Sequence, residues 1–430
     1  MKQNSFRVET KACWPRWTLA LAALGFITLP SLHGEERETR LDGASLVSGT
    51  TLSGYVEAST IWALSTPPDS AGTAPFPNTL RMPGRLYDVP AKMDGFNLEA
   101  FVLTLEKPLD EESWSAGYRA QLFFGPDASL RNLFSLAGGG GNDLGLSEAF
   151  VTLRTPPGNG LEFRLGYFLT PLGYESYHSR DNANFSHSYG YFIEPKQHTG
   201  LTMKYEFAEW MSAMAGVANN YSTYVDAHTQ NRGSLTYLAA LEFNGAWFGH
   251  KDITLKLGYT GGHTDSGAPT DTGPRIHNFH ASAHVPLPVD GLALGLAYDY
   301  QANFSAGWPA NFFLPEGPNT TYADATALYV NYAVKKWEFN TRAEYARATA
   351  GNTIFAARSA FGSDKPMFGG HDEKFVGVTE TISYQLWKNV LTRVEFRWDH
   401  DCAGGEPVFG TAAHPRKNSF TIGFDCVYSF

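Results

Sequence analysis

The sequence predicts an all-β fold, a transmembrane antiparallel up-and-down β-barrel of about 16 strands. Three observations carry that prediction. In the terminal segment Ser419 to Phe430, the residues Phe420, Ile422, Phe424, Cys426, Tyr428 and Phe430 are all apolar, and those between them are mostly small or polar. Side chains on a strand alternate faces, so this segment has one greasy face and one wet one, and it ends on a bare aromatic carboxy-terminus. Upstream, ten-residue alternating segments are joined by connections that are short and long by turns. Finally, 43% of the chain is hydrophobic, yet no internal run approaches the ~18 apolar residues of a membrane-spanning helix. A barrel needs no such run, because only every second residue faces lipid.

The amino terminus is read separately. The apolar stretch Trp17 to Leu29 follows Lys2, Arg7, Lys11 and Arg16 and is broken by Pro30. A basic region, a short apolar core and a small residue at Gly34 predict a secretory signal peptide over residues 1–34. Residues 35–51 would then be a short periplasmic segment and 52–430 the barrel.

The first predicted strand is Leu52 to Trp62. Ala149 to Leu153, Leu161 to Phe168, Leu201 to Phe207 and Leu235 to Phe243 follow, then Ile253 to Tyr259, Leu292 to Tyr300, Trp337 to Tyr345, Val390 to Trp398 and the terminal strand. In WEFNTRAEY, Trp337, Phe339, Thr341, Ala343 and Tyr345 oppose Glu338, Asn340, Arg342 and Glu344. Opposite charges two residues apart on the polar face suit a water-filled lumen rather than a flat soluble sheet.

Short turns are expected at Lys107–Ser113, Pro156–Gly160, Ala208–Glu209, Asn244–Asp252, Pro286–Gly291, Val334–Lys336 and Trp387–Asn389. Long connections are expected at Ser65–Gly95, Pro126–Gly145, Leu169–His198, Asn219–Gly233, Gly261–Arg275, Gln301–Ala323, Ala346–Lys374 and His400–Asn418. Seven short and eight long connections in strict alternation imply an even strand number with both termini on the short-turn side, the pattern of bacterial outer-membrane barrels. Trp114, Trp210, Trp337 and Trp387 all fall beside short turns, where an aromatic girdle would meet the periplasmic interface. Two segments fit poorly. Phe96 to Glu106 lacks clean alternation, and Glu380 falls on the face of Val376, Val378, Ile382 and Tyr384 that should meet lipid. A misread register, a bulge or a neighbouring subunit covering that face would each account for Glu380.

Several chemistries find no footing. A net charge of −10 without a basic run argues against nucleic-acid partners. The Gly138–Gly141 run lacks a following Gly-Lys-Ser/Thr and is no phosphate cradle. His277, His280 and His284 have helical metal spacing, but on a strand His277 points away from the other two, so no ion shared by them is expected. No Ser/His/Asp constellation stands out, and no cofactor or catalytic residue is expected. Cys402 and Cys426 sit toward opposite ends of the last hairpin, since Asn418 to Cys426 spans roughly 26 Å at strand rise, and no disulfide is expected.

The wet faces nominate the lining of the barrel. Its basic members are Arg119, Arg154, Arg164, Lys204, Lys256, Arg342, Arg393 and Arg397. The acids are Glu57, Glu148, Glu162, Glu206, Glu242, Asp299, Glu338, Glu344, Glu395 and Asp425. The third long connection, Leu169–His198, is aromatic and mixed in charge, with Glu175, His178, Arg180, Asp181, His187, Glu194 and Lys196.

GYFLTPLGYE (Gly166–Glu175), NFSHSYGYF (Asn184–Phe192) and HTG (His198–Gly200) resemble the OmpL-like β-barrel porin family. LFFGPDA (Leu122–Ala128), NVLTRVEFRWDHD (Asn389–Asp401) and the Phe-terminated last strand are similar too, in the same order along most of the chain. VANNYS (Val217–Ser222) departs from the family's expected Asn-Gly. The resemblance implies a barrel in the bacterial outer membrane, bathed by lipid and lipopolysaccharide, that passes small hydrophilic solutes by passive diffusion and is not an enzyme. In sixteen-stranded general porins the third outer loop folds inward as a constriction, and the position and mixed composition of Leu169–His198 match it. Homo-trimers are common among such porins, and the Phe430 strand is expected to engage the barrel-assembly machinery. A channel selective for sugars, organic acids or peptides, with Tyr174, Tyr177, Tyr189 and Tyr191 as a stacking path, is the nearest alternative. An outer-membrane barrel enzyme and a sealed structural barrel are more distant ones.

Overall fold

Alternation of apolar and polar residues becomes, in the computed structural model, a ring of sixteen strands. The structure describes residues 49–64, 92, 94–110, 114–130, 134–135, 144–219, 221, 235–265, 272–304, 320–349, 372–404, 407–410 and 415–430. The predicted signal peptide lies outside the described residues. The strands are β1 (Thr51–Ala63), β2 (Gly95–Lys107), β3 (Ser115–Phe124), β4 (Leu144–Thr155), β5 (Leu161–Leu169), β6 (Gln197–Ala208), β7 (Met211–Ala218) and β8 (Thr236–Gly245). They continue as β9 (His250–Asp265), β10 (Thr272–Pro286), β11 (Leu292–Phe304), β12 (Thr320–Val334), β13 (Trp337–Ala348), β14 (Glu373–Trp387), β15 (Val390–Asp401) and β16 (Asn418–Ser429). Each pairs antiparallel with the next, and β16 returns to β1 with Tyr55 opposite Ser429 and Ala63 opposite Thr421, which closes the ring. Closure leaves no strand edge to be satisfied in hydrocarbon.

The wall is inverted relative to a soluble protein. On β16, Ile422, Phe424 and Tyr428 are exposed while Ser419, Thr421, Asp425 and Val427 are buried. The same holds on β15, where Val394 and Phe396 are exposed while Arg393, Glu395 and Arg397 are buried. Exposed apolar side chains in such number mark a lipid-facing surface. At the short-turn end Trp114, Trp247, Trp337 and Trp387 stand exposed, and Trp210 packs on Phe243 and Trp247 with ring centroids 6.4 and 5.7 Å apart.

The seam is sealed by the last residue. Phe430 N–H donates to the Gly54 carbonyl and Gly54 N–H to that of Phe430, both at 3.0 Å. The Phe430 ring lies over Gly54, where an added Cβ would meet its Cζ at 2.7 Å, and stacks on Phe101 with centroids 6.4 Å apart.

Three local expectations are revised. Gly261–Arg275 is mostly strand rather than loop: β9 runs to Asp265 and β10 starts at Thr272, so only 266–271 connects them. The broken alternation in β2 has a cause in its pairing with β1, which slips between Glu57 and Ala58, so that Ala100 faces Glu57, Leu98 faces Ala58, and Glu99 is the extra residue. At Glu380 there is neither slip nor bulge: β14 pairs regularly with β13 and β15 through this region, and Glu380 stands on the outer face. There it accepts a hydrogen bond from Thr341 Oγ1 on the neighbouring strand. Cys402, just past β15, and Cys426, on the outer face of β16, are both free thiols.

Candidate functional site: the inner wall and the third long connection

The connection between β5 and β6, residues 170–196, is tied off at its neck by Thr170 N–H donating to the Lys196 carbonyl at 2.8 Å. It carries a 3-10 turn, Ser179–Asp181, and a short helix α1, Tyr189–Ile193, whose first turn is capped by the Ser188 hydroxyl accepting from Tyr191 N–H. Between these ends its backbone is laid against inward-facing side chains of β12 to β16 and β1.

Arg342 of β13 donates to the Ser186 carbonyl at 2.6 Å, to that of His187 at 3.1 Å, and to Glu175 at 3.0 Å. Arg397 of β15 donates to the His187 carbonyl at 2.6 Å. Arg393, also on β15, donates to the carbonyls of Ser179 and Asn182 at 2.8 and 3.1 Å. Carboxylates hold the amides in the same way: Glu395 accepts from Phe185 and Ser186 N–H, and Glu344 from Tyr189 N–H at 2.7 Å. The wall thus supplies charged partners for a backbone segment that has no strand neighbour, and charge-assisted hydrogen bonds of this kind are the strong ones.

The wall charges balance one another beneath the loop. Arg393 bridges Asp425 at 2.8 Å and Glu57 at 3.0 Å, and Arg397 bridges Asp399 at 2.9 Å and Glu344 at 3.4 Å. Arg342, Arg393, Arg397, Glu344 and Glu395 were expected to face the water column. Instead they are covered, with Arg342 fully buried, because the loop lies on top of them. The loop's own His178, His187, Glu194 and Lys196 are likewise buried. His178 stacks on Phe123 and hydrogen-bonds Tyr55 at 3.0 Å, while the His187 ring lies 4.0 Å from that of Tyr191. Of the charged residues expected on the loop, Arg180 and Asp181 keep the most contact with solvent, paired with each other at 3.1 Å.

The opposite wall is different. Arg119 bridges Glu148 at 2.9 Å and Glu106 at 3.0 Å, and Arg154 meets Glu162 at 2.9 Å. Lys204 lies 3.5 Å from Glu242 and 4.0 Å from Glu206, and Arg164 is exposed over the Phe150 ring at 4.5 Å. Lys256 reaches across to the Gly173 carbonyl at 3.4 Å. Glu148, expected to face the water column, is instead buried and also accepts from Leu169 N–H at 3.3 Å. The other side chains remain partly or largely exposed on β3 to β9.

The three histidines do not converge. His280 and His284 point inward, whereas His277 is on the outer face among Tyr259, Phe279 and Phe304. Sequence spacing gave no sign of what His280 does meet: Asp299 Oδ1 on β11 at 2.6 Å and Glu194 Oε1 of the loop at 3.5 Å. Burial, with Asp299 beside it, pushes the Glu194 carboxyl well above the usual carboxylate range. A second cluster that sequence reasoning missed joins Lys92 to Glu99 and Asp127, with Ser59 donating to Glu99. Its one signal was the break in alternation at Glu99.

A closed sixteen-strand barrel with an apolar exterior, a charged interior and a connection packed inside it belongs to the class of outer-membrane channel proteins. More particularly, residues 49–430 match the family described as "Putative beta-barrel porin-2, OmpL-like", and the chain belongs to that family. The fold is similar to OprB of Pseudomonas putida, at 13% identity over 90% of this chain and 96% of that one, with a TM-score of 0.54. It is similar also to the outer membrane channel DcaP of Acinetobacter baumannii (12% identity, 89% and 97% covered, TM-score 0.53) and to OmpT of Vibrio cholerae (12%, 89% and 97%, 0.51). At such identities the likeness is one of fold. Comparison with curated proteins gives no match. The protein is a porin of the bacterial outer membrane, with its apolar band in that membrane's lipid.

Proposed function

We propose that the barrel mediates passive diffusion of small hydrophilic solutes, and that residues 170–196 are its constriction. The observation that carries this reading is the set of hydrogen bonds from Arg342, Arg393 and Arg397 to loop carbonyls, which hold the segment against one side of the wall. Passage then runs between the Arg180–Asp181 pair and the exposed charges of β3 to β9, with Arg164, Lys204, Glu206 and Glu242 as the lining that a solute meets. Rings of charge at a narrow point set selectivity without any bond-making chemistry.

The test is single-channel conductance in planar bilayers of the wild type and of a protein lacking Asp181–Glu194. Removal of that segment is expected to raise conductance severalfold; an unchanged value overturns the constriction. Block of the current by a particular sugar, organic acid or peptide would favour a selective channel instead, and ester hydrolysis abolished by one Ser or His substitution would favour an enzyme. The Phe-terminated last strand supports recognition by the barrel-assembly machinery. The outward carboxylate of Glu380 supports side-by-side packing of copies, as in a homo-trimer, which cross-linking through a cysteine placed at Val378 would detect.

A further inference from the structure

We propose that Glu194, His280 and Asp299 form a binding site for a divalent transition-metal ion of the zinc type, joining the end of the third long connection to β10 and β11. The three residues come from three separate elements, and their ligand atoms all lie within 4.8 Å of one another. Each is at least nine-tenths buried. No amide, hydroxyl or guanidinium among the described residues donates to Glu194, and Lys196 Nζ stands off at 4.0 Å while donating to the Tyr191 carbonyl. Glu194 and Asp299 hydrogen-bond each other through a shared proton, and two carboxyls buried side by side have no counter-charge nearer than Lys196. A cation between the three groups would take the place of that proton.

The imidazole is prepared for ligation. His280 Nε2 lies 2.9 Å from Ser282 Oγ, and with its proton placed there the Nδ1 lone pair points at the two carboxylates. A ligating histidine characteristically has its other nitrogen held by such a hydrogen bond. One imidazole with two carboxylates suits zinc and its neighbours, whereas calcium and magnesium favour all-oxygen shells. Donors bound at about 2.1 Å in a tetrahedral shell sit roughly 3.4 Å apart. The separation of Glu194 and His280, 3.5 Å, already matches this, and Asp299, at 2.6 Å from His280, needs to swing out by about 1 Å. Gly190 of α1 lies directly over the other Asp299 oxygen, where any Cβ would collide, so the helix backbone closes the site from above.

This inference stands apart from the porin reading, since it concerns binding and not conductance. The whole folded barrel, stripped with chelator and dialysed, is titrated with zinc against a competing indicator dye, with calcium and magnesium titrated in parallel. One zinc ion per chain is expected, bound more tightly than either of the others. Glu194→Gln and His280→Gln, which keep size and polarity, are expected to abolish that binding event. Ser282→Ala, acting only through the ring, is expected to weaken it roughly 10- to 100-fold, and His250→Gln, at an exposed histidine, to leave it intact. Migration of unheated samples in denaturing gels confirms that each variant remains a folded barrel. Zinc is further expected to slow hydrogen exchange of the Ser188–Lys196 amides in the wild type alone. Equal affinity in wild type and His280→Gln would reduce the event to an adventitious ion only and overturn the site. So would tighter binding of calcium, or no zinc binding by folded wild type.

Discussion

Arg342 shows how much a single side chain does inside this barrel. Its guanidinium satisfies Glu175 and Glu344 and two loop carbonyls at once, with Thr379 as a further acceptor on the next strand. Arg342→Met preserves length but takes the guanidinium from Glu175, leaving it only neutral donors, and from Glu344, leaving it Arg397 and an amide; removal of one partner from a buried pair costs about 3–5 kcal/mol. The variant is expected to unfold at correspondingly lower urea in lipid vesicles. Arg342→Lys should recover only part of the loss, because an ammonium cannot reproduce the planar fork. Lys204→Met, at an exposed pair with Glu242, is expected to change stability by no more than about 1 kcal/mol. The inward direction of Arg342, Arg393 and Arg397 was legible from strand alternation. That a loop covers them was not, since alternation reports which way a side chain points and says nothing about what packs on it.

At the scale of elements, β14 carries a carboxylate on the wrong side. Glu380 has Val378 and Ile382 as its outer-face neighbours and, among the described residues, only the Thr341 hydroxyl for a donor there. In the isolated barrel, Glu380→Leu is expected to raise stability by roughly 1–3 kcal/mol, the penalty of a charged side chain toward lipid. Unfolding of wild type and variant in vesicles of one lipid composition checks this; a loss of stability would mean that the carboxylate has a partner it needs. The strand registers themselves were largely readable, because a one-residue slip would turn every apolar side chain inward. Where the sequence misled, the causes were local. The bulge at Glu99 broke the alternation of β2, and β9 and β10 extend past the point where Gly261 and Gly262 suggested a loop. In the third long connection, the mixture of charge and aromatics signalled ordered packing, but the meeting of Glu194 with His280 and Asp299 depends on the path of the loop through space.

For the molecule as a whole, the balance of exposed charge sets the expected permeation. Arg119 and Arg154 are each paired with a glutamate on the neighbouring strand, Lys204 meets Glu242 two strands away, and Arg180 is paired with Asp181. With so little unpaired charge, the reversal potential in a potassium chloride gradient is expected to fall close to zero, and Lys204→Glu to move it toward cation selectivity. A strongly anion-selective wild type would contradict this. The barrel class was legible because the pattern that produces it, apolar residues at every second position between connections of alternating length, is repeated along the whole chain.

The bond pair between Gly54 and Phe430 has one more consequence, which concerns time. Until the last strand arrives, β1 has a partner on one side only, and its other edge presents bare amides and carbonyls that hydrocarbon cannot satisfy. The amino-terminal strand must therefore wait for the carboxy-terminal one, so insertion cannot proceed strand by strand to a stable half-barrel. Shortening a long connection removes surface, whereas removing the last strand leaves β1 and β15 each with an open edge. Gly54→Val, whose side chain would collide with the Val102 carbonyl on β2 as well as with the Phe430 ring, is expected to slow pairing on both sides of β1, and pulse-chase appearance of the folded, unheated gel species would report the delay.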